Sequence, residues 1–120
     1  MAKRAGQRKA GVRRKSTGAC VVLVTCESKA QARKIAHAAV GKRLAACVNI
    51  LSAPVESVYR WKDIIETAAE FLLIIKTTPS RLKALQKAVS ALHSYELPEF
   101  LVIEAPAGSA AYLKWIRDNT

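Results

Sequence analysis

The side chains of this chain best suited to hold a transition metal or act as nucleophiles are its two histidines and three cysteines. Imidazole and thiolate suit copper or zinc, and a carboxylate can complete such a site. Cys20 and Cys26 fall on one face of one predicted strand, but six residues of strand span about 20 Å, so the two cannot grip a single ion. Cys47, within Leu44-Ala45-Ala46-Cys47-Val48-Asn49, reads as a small buried apolar side chain, the usual fate of a free cysteine. His37 lies on a helix face beside Arg33 and Lys34 and reads as solvated. His93 ends a predicted helix and is followed by Tyr95, Pro98 and Glu99 in a polar loop that feeds a strand. His93 with Glu99 is therefore the candidate metal pair. The alternative is a histidine stabilised at a helix C-terminus.

Tyr59 and Trp61 alternate along a predicted strand and project from one face with Ser57. They suit either stacking on a nucleobase or anchoring an interface. RNA-binding sheets carry stacking aromatics on their two central strands; here those strands are aliphatic except for Phe71, which excludes that mode. No phosphate loop, dinucleotide glycine fingerprint, zinc-protease helix or Gly-x-Ser-x-Gly elbow is present. The acids are too scattered in sequence to nominate an acid–base pair.

The elements that must position these residues occupy a chain of 120 residues, 51% of them apolar, the size and composition of one packed domain. The net charge is +11, unevenly placed. Lys3, Arg4, Arg8, Lys9, Arg13, Arg14 and Lys15 put seven bases and no acid on the first fifteen residues, leaving thirteen bases against nine acids elsewhere. Residues 1–18 hold three glycines and almost no large apolar side chain, so they read as a flexible basic arm before a domain at 19–120. Lys and Arg on such an arm neutralise phosphates without reading base sequence, which makes nucleic acid or another polyanion a candidate partner through residues 1–15. A solvated tail is the alternative. No apolar run approaches the ~20 residues that cross a bilayer, and the run Cys20–Cys26 is too short for an export signal. An odd number of cysteines fits reduced thiols in the cytoplasm.

Cys20–Cys26 is apolar on both faces, as a central strand should be. Ser28 and Gln31 form a capping box for a helix over roughly 29–43. Ala45–Leu51 and Val55–Trp61 read as a second strand bent at Pro54, Lys62–Thr67 as a polar turn, and Ala69–Thr77 as a third strand. Thr78-Pro79 opens a second helix with the stripe Leu82, Leu85, Val89 and Leu92. Phe100–Ala105 is a fourth strand, and Ser109 caps a last helix bearing Leu113, Trp115 and Ile116. The order βαββαβ plus a terminal helix predicts an α+β ferredoxin-like sandwich. Its helices cover only one sheet face, so the other must be covered by an oligomeric partner.

Leu44-Ala45-Ala46-Cys47-Val48-Asn49, Ser57-Val58-Tyr59-Arg60-Trp61-Lys62, Ile75-Lys76-Thr77, His93-Ser94-Tyr95-Glu96-Leu97-Pro98-Glu99 and Tyr112-Leu113-Lys114-Trp115-Ile116 closely resemble the CutA divalent-cation tolerance family, in its order and spacing across residues 20–117. The resemblance implies a ferredoxin-like subunit in a tight homotrimer, with hairpin strands pairing between neighbours. It implies a non-enzymatic role in tolerance of divalent metals, with copper or another divalent cation as ligand and none required for folding. Some members bind copper through a strand-one cysteine, a histidine near the end of the second helix and the glutamate of a Pro-Glu pair. In this chain those places hold Val24, Leu92 and Glu99. The family's Trp-x-Gly turn becomes Trp61-Lys62-Asp63.

Where subunits of such a trimer meet, Cys47, Tyr59, Trp61, Glu70, Lys76, His93 and Glu99 are the expected polar groups of an apolar cleft. Lys76, at the end of an apolar strand, requires a counter-charge from Glu70 or Glu99. Two other readings stand beside metal tolerance. One is a trimer that senses a small anionic metabolite or nucleotide through Lys76 and Arg60. The other is a polyanion-associated scaffold that uses the basic arm.

Overall fold

The computed structural model describes residues 17–120. Residues 1–16 of the expected arm, and the polyanion contacts expected of its bases, lie outside the described residues. Thr17 and Gly18 lie against the domain: the Thr17 hydroxyl donates to the Ala105 carbonyl at 2.6 Å, and Arg117 donates to the Thr17 carbonyl at 2.9 Å.

The chain is a mixed α+β fold of one antiparallel sheet and three α-helices. Its elements are β1 (Cys20–Cys26), α1 (Lys29–Gly41), β2 (Cys47–Ile50), β3 (Val55–Trp61), β4 (Ile64–Thr77), a 3₁₀ turn at Pro79–Arg81 leading into α2 (Leu82–Leu92), β5 (Leu101–Glu104) and α3 (Ala110–Asp118). The strand order is β2-β4-β1-β5, with β3 pairing separately with β4. Every pairing is antiparallel. With β2 and β3 as the two pieces of the second strand, this is the order of the ferredoxin-like split βαβ arrangement.

Directly opposed residues of an antiparallel pair share a face. Cys20, Val22, Val24 and Cys26 oppose Thr77, Ile75, Leu73 and Phe71. That face carries the core, closed by Ala32, Ile35 and Ala39 of α1 and Leu85 and Val89 of α2. The other face opposes Val21 to Lys76, Leu23 to Ile74 and Cys47 to Lys76, all half-buried. Ile116 of α3 packs on Ala19 and Ala46 in a second, smaller cluster.

Ser28 caps α1 as its sequence predicts, its hydroxyl accepting from the Gln31 N–H, and Ser109 caps α3 by accepting from Tyr112. Thr78 makes no side-chain cap, and Pro79 opens the 3₁₀ turn instead of the helix itself. The larger correction concerns the segment Lys62–Thr67, expected to be a turn. Only Lys62 and Asp63 turn; Ile64 already belongs to β4, a strand of 14 residues. Glu66 and Thr67 are polar because the projecting hairpin leaves both of its faces at least partly open there. They pair with Tyr59 and Val58, so ladder bonds hold them extended.

Lys62 and Asp63 both have positive φ, 51° and 67°. This is the turn geometry that matches strand twist and favours Asn-Gly or Asp-Gly. A side chain there costs on the order of 1 kcal/mol relative to glycine. Asp63→Gly is therefore expected to raise the thermal unfolding midpoint at fixed protein concentration, while Asp63→Val lowers it.

Candidate functional site

His93 is the C-cap of α2, and its backbone N–H reaches the Val89 carbonyl. Its Nε2 lies 2.7 Å from the Thr25 carbonyl oxygen, which can only accept, so Nε2 carries the proton. Its Nδ1 accepts the Tyr95 backbone N–H at 3.1 Å. Both ring nitrogens are thereby engaged, and the neutral tautomer is fixed. The imidazole fastens the loop after α2 onto the end of β1 and, in this arrangement, keeps no lone pair for a metal.

The loop carries Tyr95, whose hydroxyl donates to Glu70 Oε2 at 2.7 Å. Glu70 is only 7% exposed. Burial, the hydrogen bond to Glu70 and its charge all push the Tyr95 hydroxyl pKa up. Between this loop and β3 lies a cleft of about 880 Å³, walled by Ser57–Trp61 on one side and Ser94–Glu99 on the other, with Thr25 and Glu70 also lining it. Tyr59 opposes Glu66, and Trp61 opposes Ile64. Val55 opposes Glu70, so by alternation Tyr59, Trp61 and Glu70 share one face of the hairpin. Glu99 stands at the solvent side; partial burial and then the charge of Glu70 raise its carboxyl above the ordinary range. Cys26 is fully buried, and burial, reinforced by Glu70, pushes its thiol up to about 11.

Within one chain, the seven residues expected to converge between subunits fall into two groups. Tyr59, Trp61, Glu70 and Glu99 line the cleft, and His93 stands behind its loop wall. Cys47 and Lys76 are cross-strand partners elsewhere on the sheet. Within one chain the Lys76 ammonium donates to the Asn49 side-chain carbonyl and pairs with neither Glu70 nor Glu99 of the same chain. Six residues of strand separate positions 70 and 76, about 20 Å, too far for a pair. Sequence reasoning missed Tyr95 as the partner of Glu70. The signal available was an acid opening an apolar strand, which demands a donor once buried.

Among the described residues no three His, Cys, Asp or Glu side chains gather into a metal centre. With His93 engaged and Cys26 protonated, one chain offers the cleft the carboxylate oxygens of Glu70 and Glu99, a hard donor set unlike a copper-type nitrogen and sulfur site.

The antiparallel βαββαβ topology with a terminal helix defines an α+β sandwich with an open cleft between the central hairpin and the loop after the second helix. Residues 20–119 match the family model described as CutA1 divalent ion tolerance protein. The chain belongs to that family. It is 44% identical over 100 residues to the divalent-cation tolerance protein CutA of Thermus thermophilus, covering 83% of this chain and 96% of that one. It is 42% identical over 98 residues to human protein CutA, where the match spans 82% of this chain and 54% of the longer human protein. The solved T. thermophilus structure superposes with a TM-score of 0.83 at 43% identity, over 85% of this chain and 98% of that one. CutA1 from Oryza sativa gives 0.82 at 41%, over 88% and 97%.

Two outcomes test the geometry. Tyr95→Phe removes the hydrogen bond to the buried Glu70 carboxylate and should cost about 1–3 kcal/mol; adding Glu70→Gln should recover part of that loss, read by denaturation at pH 7. The raised Glu99 carboxyl means the folded state holds a proton that the unfolded state has released. Stability must then fall as pH rises from the ordinary carboxylate range through the folded value. Glu99→Gln should flatten this decline in thermal midpoints measured from pH 4 upward.

Proposed function

We propose that this chain acts in tolerance of divalent cations as a non-enzymatic, cytoplasmic homotrimer whose ligand site is the cleft between β3 and the 94–99 loop. The observation that carries this reading is Glu70, a buried carboxylate on the cleft with a tyrosine hydroxyl as its one hydrogen-bond partner among the described residues. A carboxylate so placed favours a cation. Together with Glu99 it suits a hard divalent ion better than copper. The same charges disfavour an anionic metabolite, and Lys76, the proposed anion ligand, is engaged with Asn49.

Assembly is supported by apolar surface that one chain leaves open. Val58 is 66% exposed, Ile65 65% and Leu101 56%, and Ile64, Ile103 and the stacked pair Tyr112 and Trp115 join them. They lie on the hairpin, on β5 and on α3, and large exposed apolar areas mark interaction surfaces. Free Cys20, Cys26 and Cys47 fit a reducing compartment. No helix among the described residues is long and apolar enough to cross a membrane.

Sedimentation at micromolar concentration should show trimer; a stable folded monomer would overturn the assembly. Calorimetry with Mn²⁺ should show binding that Glu99→Gln weakens about tenfold, roughly 1.4 kcal/mol, and that His93→Ala weakens less than Glu99→Gln does. A larger loss at His93 than at Glu99 would restore the histidine as a ligand.

A further inference from the structure

The cleft is much larger than a metal ion requires. A water molecule takes about 30 Å³, so an ion with six waters occupies on the order of 200 Å³ by the same measure, against about 880 Å³ of cleft. Its walls also offer contacts that an ion at the carboxylates leaves unused. Tyr59 and Trp61 line one side and Tyr95 the other. Aromatic faces attract cations that have shed water, above all ammonium groups. The Trp61 ring already shows this preference, with the Lys62 ammonium 5.7 Å from its centroid.

The charges at the site agree. Glu70 is 7% exposed, and of its two oxygens only Oε2 has a hydrogen bond, so the other lacks a partner among the described residues. Glu96 and Glu99 stand on the loop wall. Arg60 is the one base lining the cleft, and it makes no ion pair with these acids; the ion pair among the described residues is Lys114–Asp118, on α3. The cleft thus joins a carboxylate that lacks a full set of donors, aromatic walls and further acids at a distance along the loop.

We infer that the cleft binds an aliphatic amine, one ammonium bonding Glu70 between the aromatic rings and the carbon chain running along the wall toward Glu96 and Glu99. An ammonium has three donors, which suits the open oxygen of Glu70, and a methylene chain gains from apolar contact that a hydrated ion cannot use. This rests on reading the cleft as the ligand site.

The test is calorimetry on the full-length protein with 1,5-diaminopentane, with 1-pentanol and Mn²⁺ as comparison probes. The diamine should bind and pentanol should not. Glu70→Gln, which retains an acceptor for Tyr95, should weaken the diamine at least tenfold, and Trp61→Leu several-fold. Trp61→Leu should leave Mn²⁺ binding within twofold. Thermal midpoints and sedimentation establish that each variant keeps its fold and assembly; if Glu70→Gln does not, Glu99→Gln is used and should weaken the diamine several-fold. If Mn²⁺ binds and the diamine does not, the amine inference fails and the cleft reading stands. If neither binds, both fail. Diamine binding indifferent to both the glutamate and the Trp61 substitutions would also overturn the inference.

Discussion

β4 is the element on which the rest of the molecule depends. Its second half pairs with β1 on one side and β2 on the other, while its first half, beyond the reach of β1, pairs with β3 alone. One continuous strand therefore serves as the centre of a packed sheet and as the arm of a projecting hairpin. Its burial follows that division: Leu73, Ile75 and Thr77 are buried, while Ile64 and Ile65 lie open. Glu70 sits at the changeover, where the sheet ends and the hairpin begins. An acid at that point is close enough to the core to be buried and close enough to the hairpin to face a cleft.

The loop after α2 makes the cleft a fixed feature. A chain leaving a helix on one side of a sheet and entering an edge strand must cross the sheet's end, here the end of β1. His93 holds the crossing by bonding the Thr25 carbonyl with one nitrogen and the Tyr95 amide with the other. Tyr95, so placed, reaches Glu70. A histidine whose type and position suggest metal chemistry is thus occupied in local architecture. Burial, and after it the charge of the buried acid Glu70, lifts the pKa of Tyr95, Glu99 and Cys26.

The distribution of apolar surface links fold to assembly. The helices bury one face of the sheet, and α3 covers part of what remains, yet β5 is exposed along its whole length. Val58 and Ile65 oppose neighbours on the hairpin face away from Glu70 and Tyr59. Val58 nevertheless also lines the cleft, and the open Ile64 opposes Trp61 on the Glu70 side, so the apolar surface of the hairpin runs on into the cleft walls.

The sequence by itself determined the elements and their order, because these follow from local periodicity and capping. Ser28, Ser109, the stripe Leu85 and Val89 and the doubly apolar Cys20–Cys26 are each legible without a partner in view. It also carried the family, since five motifs in one order are jointly specific. Only the tertiary structure decided that Glu66 and Thr67 extend a strand, because ladder bonds to β3, not their own polarity, hold them there. Only it decided that Lys76 meets Asn49 and that Glu70 meets Tyr95, since cross-strand register and a loop 25 residues away are not local properties. Residue type told which side chains were able to do chemistry; their hydrogen-bond partners, set by the packed fold, determined which remained free to do it.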